Sequence, residues 1–333
     1  MEEQQARKAV VDAGRMLLSE GLVARTWGNV SCRTGEHSFV ITPSGLGYDN
    51  TTADDLAAYN LTDGTWAGAR KPSSEKGVHA AAYRRFPDAG FVIHTHQAYA
   101  SALGLAGFDA LALSAQDNAA LAGLALAGYG LPGTKRLSSN VSAALATGAQ
   151  TVLMAHHGAL IVGRGLDEAF ARAKLLETLC KAACKGQPAD AGGGVTADGA
   201  LAALLDRAGS VFAFRSYSAA PAVCEASKAG RALPAQLDDM AQMVGARLVC
   251  AAPDAAAVAA ALETHGAVLV RGLGAVCRAE TAGDALALKL LTEKACIAYL
   301  HARACGVPAR LSRVDTALMR LVYQQKYAKK IGD

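Results

Sequence analysis

Histidines at the ends of two apolar segments are the residues of this sequence best suited to chemistry. His94 and His96 end one such segment, and His156 and His157 follow another at 151–155. On a β-strand, residues i and i+2 face the same side, so the imidazoles of His94 and His96 project together. A catalytic zinc ion takes three protein ligands and keeps one position open. The spacing therefore predicts a metal site in which one of His156 and His157 is the third ligand, with ordinary polar strand ends as the alternative.

Glu75 is the candidate general acid and base. It follows two serines at the predicted start of a helix, where the helix dipole stabilises an anion. Beside a metal, a carboxylate can move protons to and from a bound substrate. The alternative is an ordinary glutamate in the first turn of a helix.

Turns rich in glycine and hydroxyl groups offer a place for a phosphate. They are Thr26-Trp27-Gly28-Asn29, Thr42-Pro43-Ser44-Gly45 and Pro72-Ser73-Ser74. The last of them lies at a predicted helix N-terminus, which favours an anion. Taken singly, each is also an everyday turn.

The composition indicates a soluble globular protein. The 333 residues are 52% hydrophobic, carry a net charge of +4 without a basic block, and include 8 cysteines without a C-x-x-C pair. An acidic amphipathic start and the lack of a long apolar run predict neither a signal peptide nor a membrane span. We therefore expect a cytoplasmic protein with reduced thiols, no nucleic-acid partner and no membrane partner.

Periodicity predicts alternating helices and strands. Helices are expected at 5–20, from Ser73, at 138–147, at 167–185 and at 284–302, and strands at 30–33, 38–42, 57–61, 151–155 and 159–162. The segment 187–199, rich in glycine and alanine, is expected to link a domain at 1–186 to a second at 200–333. The sequence His157-Gly-Ala-Leu-Ile-Val-Gly recurs as His265-Gly-Ala-Val-Leu-Val-Arg, which indicates a partial internal duplication, with two similar strand–helix units as the alternative.

The ordered motifs T-x-G-N-x-S, T-P-S-G, K-P-S-S-E, H-T-H and H-H-G within residues 5–185 resemble the class II aldolase/adducin family. The most similar branch is that of the L-fuculose-1-phosphate aldolases. This resemblance implies an α/β fold, an α/β/α sandwich around a mostly antiparallel sheet, and a homo-oligomer. It also implies a Zn²⁺ cofactor, with another divalent transition metal as an option, and a phosphorylated sugar substrate.

Residue roles follow from the same resemblance. The metal ligands fall on His94, His96 and His157, and the acid/base carboxylate falls on Glu75. The phosphate-binding positions fall on Thr26, Gly28, Asn29, Ser44, Gly45, Ser73 and Ser74. The implied reaction is reversible retro-aldol cleavage of a phosphorylated ketose or related hydroxy-carbonyl compound through a zinc-stabilised enediolate. Dehydration, decarboxylation or epimerisation, and a non-enzymatic assembly module as in adducin, are the alternatives.

Departures from the family pattern lie outside the metal site. The family's proton-donating tyrosine has no counterpart in the segment 114–119, and a second tyrosine near the family's C-terminus has none either. The family's ribulose-phosphate epimerases look like P-S-S-D in this motif, with aspartate at the position of Glu75 in this chain. Residues 200–333 resemble a degenerate, non-catalytic copy in which His265 corresponds to His157, and the matching strand at 246–251 ends without histidine.

Overall fold

The computed structural model describes residues 1–106, 111–188, 194–207, 214–308 and 310–326. It divides the chain into two compact units, Met1–Ala183 and Cys184–Asp333. Each unit is described by itself below. Of the predicted linker, 189–193 lie outside the described residues, and a helix begins at Gly194, inside the predicted segment.

The first unit alternates helices and strands much as the periodicity predicts. Its helices are α1 (Glu3–Ser19), α2 (Lys76–Arg85), α3 (Ala98–Ala106), α4 (Ala115–Ala120), α5 (Lys135–Ala146) and α6 (Leu166–Ala183), with 3₁₀ turns at Tyr48–Asn50 and Ala53–Asp55. Its strands are β1 (Asn29–Gly35), β2 (Ser38–Ile41), β3 (Ala57–Asn60), β4 (Trp66–Ala67), β5 (Phe91–Thr95), β6 (Leu124–Ala127), β7 (Thr151–Met154) and β8 (Gly158–Gly163).

The strands of the first unit form one sheet in the order β4-β3-β2-β1-β5-β8-β7-β6. The pairs are antiparallel except for β6 with β7, which α5 connects as a crossover helix. The predicted α/β fold with a mostly antiparallel sheet is thus confirmed. The histidine-bearing strand β5 lies at the centre, between β1 and β8.

Side-chain alternation sends successive residues of the central strands to opposite faces of the sheet. On one face, Val92 of β5 and Leu160 of β8 join a buried cluster with Val78 and Tyr83 of α2 and Val141 of α5. Helices α3 and α6 pack together and contact β5, β7 and β8. Since residues i and i+2 share a face, His94 lies on the α2 side, like Val92.

The second unit contains a smaller sheet. Its elements are α7 (Gly194–Arg207), β9 (Phe214–Ser218), α8 (Pro221–Ser227), β10 (Leu233–Pro234), α9 (Asp238–Met243), β11 (Arg247–Ala251), α10 (Ala255–Thr264), β12 (Ala267–Val270), β13 (Gly274–Ala279), α11 (Ala282–Ala304) and α12 (Arg313–Lys326). The strand order is β10-β11-β12-β13-β9.

Four strands of each sheet share one arrangement. The series β6-β7-β8-β5 and the series β11-β12-β13-β9 both run through a parallel pair followed by two antiparallel pairs. A long helix, α6 or α11, follows the hairpin in each unit.

The strand register corrects the alignment made from sequence. When the hairpins β7–β8 and β12–β13 are aligned by their strand pairing, Gly274 corresponds to Gly158. Leu273 then takes the sheet position of His157. His265 precedes β12, which is the counterpart of β7, whereas His157 precedes β8. Matching His265 to His157 is therefore wrong, because the two similar segments lie on strands that do not correspond. The segment 246–251 contains β11, which corresponds to β6, and β9 is the counterpart of β5.

Among the described helices, none is long and apolar enough to cross a membrane.

Candidate metal centre

Strand β5 carries His94 into the interior. Its backbone is hydrogen-bonded to β1 on one side and to β8 on the other, and the side chain of His94 is fully buried. His94 Nδ1 lies 2.9 Å from the carbonyl oxygen of Ala159. Because a carbonyl oxygen can only accept, Nδ1 carries the proton and Nε2 presents a lone pair. This is the arrangement of a metal-ligating histidine held by a backbone acceptor.

The three predicted metal ligands converge. His94 Nε2 lies 3.0 Å from His96 Nε2 and 3.0 Å from His157 Nε2. Glu75 completes the cluster, with its Oε2 3.2 Å from His94 Nε2 and its Oε1 3.0 Å from His157 Nε2. One ligand atom from each of the four residues lies within 4.8 Å of all the others.

This donor set fits a divalent metal ion. A tetrahedral zinc ion with bonds of 2.0–2.1 Å sets its ligand nitrogens about 3.3 Å apart, close to the separations of His94 from His96 and His157. Glu75 Oε1 is buried, and apart from the His157 nitrogen 3.0 Å away it has no hydrogen-bond partner among the described residues. A buried carboxylate oxygen with so few partners is costly, and a cation among the imidazoles would satisfy it.

Glu75 stays ionised in this setting. Burial by itself raises its pKa, but the electrostatic interactions and hydrogen bonds with the neighbouring His94 and His157 rings hold that pKa well below its ordinary value. Glu75 is the N-cap residue of α2, so the helix dipole also favours the anion. The carboxylate is therefore negatively charged and can interact with a cation.

A buried chain of hydrogen bonds leads to Glu75 from the far side. Asn29 Nδ2 donates to Glu75 Oε2 over 3.0 Å, and Asn29 Oδ1 accepts from His79 Nε2. His79 Nδ1 lies 2.6 Å from Ser31 Oγ, which lies 2.9 Å from the Tyr83 hydroxyl. Burial lowers the pKa of His79 to about 3.

The direction of this chain follows from its acceptors. The Asn29 oxygen can only accept, so His79 Nε2 is protonated and, in the neutral ring, Nδ1 accepts from Ser31. Ser31 then accepts from Tyr83, whose pKa burial raises, so its hydroxyl keeps its proton. Every proton in the chain points toward Glu75.

Sequence reasoning missed His79, Ser31 and Tyr83, although a signal was present. Residues 75, 79 and 83 are spaced by four, which places them on one face of α2. Asn29 and Ser31 are spaced by two, which places them on one face of β1. Two polar rows that face each other across a core predict a hydrogen-bonded network.

The hydroxyl-rich turns lie around this centre to different degrees. Ser44 N donates to Lys71 O and Ser73 N donates to Thr42 O, so the second and third turns are joined. Ser73 Oγ accepts from the backbone N–H of Glu75 over 3.2 Å. Ser44 and Gly45 are half-buried, whereas Ser74 is exposed and its Cβ lies beside Gly133.

The first turn meets the metal centre directly. Gly28 has a φ of +77°, and a Cβ there would lie 2.5 Å from the carbonyl oxygen of His94. Only glycine permits this approach without strain. Thr26 is half-buried two residues earlier, and Asn29 faces Glu75 and His79 rather than the other turns.

His156 is not in the cluster. It has a φ of +62°, and its ring lies 5.3 Å from that of Tyr129 in an edge-to-face arrangement. The backbone carbonyl of His157 accepts from Ser101 Oγ on α3 over 3.2 Å. The left-handed conformation of His156 turns the chain so that the next side chain, His157, enters the site.

Comparison with known proteins identifies the family of the first unit. The family model described as Class II Aldolase and Adducin N-terminal domain matches residues 8–184. The chain belongs to the class II aldolase and adducin family. It is 33% identical over 175 residues to 5-deoxy-D-ribulose 1-phosphate aldolase of Bacillus thuringiensis serovar kurstaki, a match that covers 52% of this chain and 82% of that protein.

Solved structures of class II aldolase relatives resemble the first unit. YgbL from Klebsiella pneumoniae, a candidate aldolase, epimerase or decarboxylase, matches with a TM-score of 0.50 and 26% identity over 55% of this chain and 89% of that one. An L-fuculose 1-phosphate aldolase matches with a TM-score of 0.48 and 30% identity over 54% of this chain and 85% of that one.

Proposed function

We propose that the first unit is a zinc-dependent aldolase that cleaves a phosphorylated ketose reversibly into two carbonyl fragments. The observation that carries the proposal is the buried convergence of three imidazole Nε2 atoms and the carboxylate of Glu75. The B. thuringiensis relative makes 5-deoxy-D-ribulose 1-phosphate the first substrate to assay.

Within this proposal, His94, His96 and His157 would hold the metal. Bound there, a zinc ion would supply Lewis-acid stabilisation of the negative charge that develops as the carbon–carbon bond breaks. The Nδ1 hydrogen bond from His94 to Ala159 fixes that ring, so the site is organised before substrate arrives.

Glu75 moves the proton at the carbon that is nucleophilic in the condensation direction. Its ionised state suits a base, and Asn29 and His79 hold one of its oxygens in a single orientation. We assign Asn29 to this positioning, beside the phosphate role that the resemblance implies. Ser44, Gly45 and Ser73 lie in joined turns that could hold the phosphate, with Thr26, Gly28 and Ser74 at the edges.

Glu75→Gln tests the assignment. We expect the variant to keep one zinc per chain, because the three imidazoles remain, while cleavage falls by about 10²–10⁴-fold, the usual contribution of a general acid or base. Metal content is measured by mass spectrometry and cleavage by the appearance of both fragments. Glu36→Gln, at a glutamate whose side chain is 87% exposed, is the matched control. Unimpaired cleavage in Glu75→Gln would remove the assigned role.

Product analysis separates the alternatives. An aldolase yields two carbon fragments, whereas an epimerase, dehydratase or decarboxylase leaves the sugar carbon chain joined or loses CO₂. Glu75 favours the aldolase over the epimerase, because the family's epimerases resemble a sequence with aspartate at this position. A non-enzymatic assembly module has no need of stoichiometric metal, so its test is the zinc content of the purified chain.

We also propose that the second unit is a degenerate copy without catalytic function and that the chain forms a homo-oligomer. The shared strand order supports the first point. Tyr217 and Ala219 occupy the sheet positions of His94 and His96, and Leu273 occupies that of His157. None of the three offers the imidazole nitrogen that the first unit provides.

A further inference from the structure

The second unit contains a cavity whose charged lining is entirely cationic. The cavity has a volume of about 690 Å³ and is formed where 234–235, 246–247 and the start of α12 meet. Arg247, Arg310, Arg313 and Arg320 line it, and none of the lining residues is acidic. Cavities of this size hold small organic ligands in many proteins.

The arginines differ in how firmly they are held. Arg320 is half-buried, and its Nη1 donates to the backbone carbonyl oxygens of Gln242 and Met243, which fixes the guanidinium in the wall. Arg247, Arg310 and Arg313 are exposed, and their guanidinium groups make neither an ion pair nor a hydrogen bond with the described residues. Four like charges around one cavity repel each other unless an anion lies between them.

The backbone adds to this positive field. Helix α12 begins at Arg313, and its first turn opens on the cavity through Ser312, Arg313 and Thr316. Ser312 Oγ accepts from the N–H of Asp315, so the N–H groups of Arg313 and Val314 remain the ones that can reach a ligand. Asp315 itself is not among the lining residues.

We propose that this cavity binds a small phosphorylated molecule, with the phosphate held between the arginines and the first turn of α12. Guanidinium groups match phosphate oxygens in pairs, and a concave site with four of them suits a compact dianion better than an extended chain. The site uses no residue of the metal centre and is independent of the aldolase proposal.

Hydrogen exchange of the full chain tests the site locally, with inorganic pyrophosphate as the probe. We expect pyrophosphate to slow exchange of the backbone amides at 313–317 in the wild type. In the double variant Arg247→Gln, Arg313→Gln, the pyrophosphate concentration needed for half protection should rise at least about tenfold. Arg303→Gln, at an exposed arginine of α11 outside the cavity, is the matched control and should bind like the wild type.

The outcomes separate the ligand classes. Orthophosphate protecting the same amides more weakly than pyrophosphate supports the proposal. Protection by succinate or by an oligoglutamate peptide but by neither phosphate overturns it, as does equal protection in the double variant. The dependence of this protection on Arg247 and Arg313 distinguishes the site from phosphate bound by the turns of the first unit.

Discussion

The buried histidine behind the Glu75 carboxylate should make the first unit sensitive to acid. His79 is fully buried, and burial lowers its pKa to about 3 from an ordinary value near 6.5. Because the folded pKa lies below the unfolded one, the unfolded chain takes up this proton first as the pH falls. The stabilisation is therefore complete above about pH 6.5 and is lost as the pH falls toward about 3.

The size of the effect follows from the two pKa values. At about pH 4.5 protonation at this site stabilises the unfolded chain by about 3 kcal/mol, and at about pH 7 by less than about 1 kcal/mol. His79 should thus remove roughly 2–3 kcal/mol from the free energy of unfolding between these pH values. Replacing it with glutamine, which keeps a donor for Asn29 but does not titrate, should remove this share of the pH dependence.

Urea unfolding at several pH values measures the difference. The chain's two tryptophans, Trp27 and Trp66, both lie in the first unit, so their fluorescence reports on that unit alone. A chelator in every sample removes any contribution from bound metal. The reasoning is refuted if the wild type and His79→Gln lose the same free energy of unfolding between about pH 7 and pH 4.5.

Further perturbations address the metal ligands, the backbone and the metal itself. His157→Ala should weaken zinc binding by at least about 100-fold, whereas His156→Ala should leave zinc binding unchanged, as read by competition with a fluorescent chelator. Gly158→Ala should lower the free energy of unfolding, measured in urea, by about 3 kcal/mol, because its Cβ would collide with the carbonyl oxygen of Thr95. Gly165→Ala is the control and should lower it little, because a Cβ at that position has nothing within 4 Å. Adding zinc at about 1,000 times its Kd should raise the free energy of unfolding of the first unit by about 4 kcal/mol, and no rise would contradict a native metal site.

The convergence of the three histidines could be predicted because its signal is local. His94 and His96 share a face by strand alternation alone, and the strand–turn–strand pattern around His157 marks a second strand end. Choosing between His156 and His157 needed the resemblance or the structure. The left-handed turn at His156 decides which side chain points inward, and a histidine with positive φ has no sequence signature.

The positioning network and the second sheet show where local patterns are insufficient. The resemblance implies phosphate binding for Asn29, yet this residue begins β1, whose register brings its side-chain amide to Glu75. The similarity of the segments after His157 and His265 reflects apolar strands of similar composition. Which strands correspond depends on pairing partners, which are distant in the sequence.

The matching strand order of the two units has a consequence for how this chain tolerates change. One sheet presents buried imidazoles next to a carboxylate, and the other has Tyr217, Ala219 and Leu273 at the positions that correspond to those imidazoles. Architecture and reactivity are thus maintained by separate sets of side chains. The strand order therefore does not depend on the reactive set, and a unit without that set can serve a different purpose.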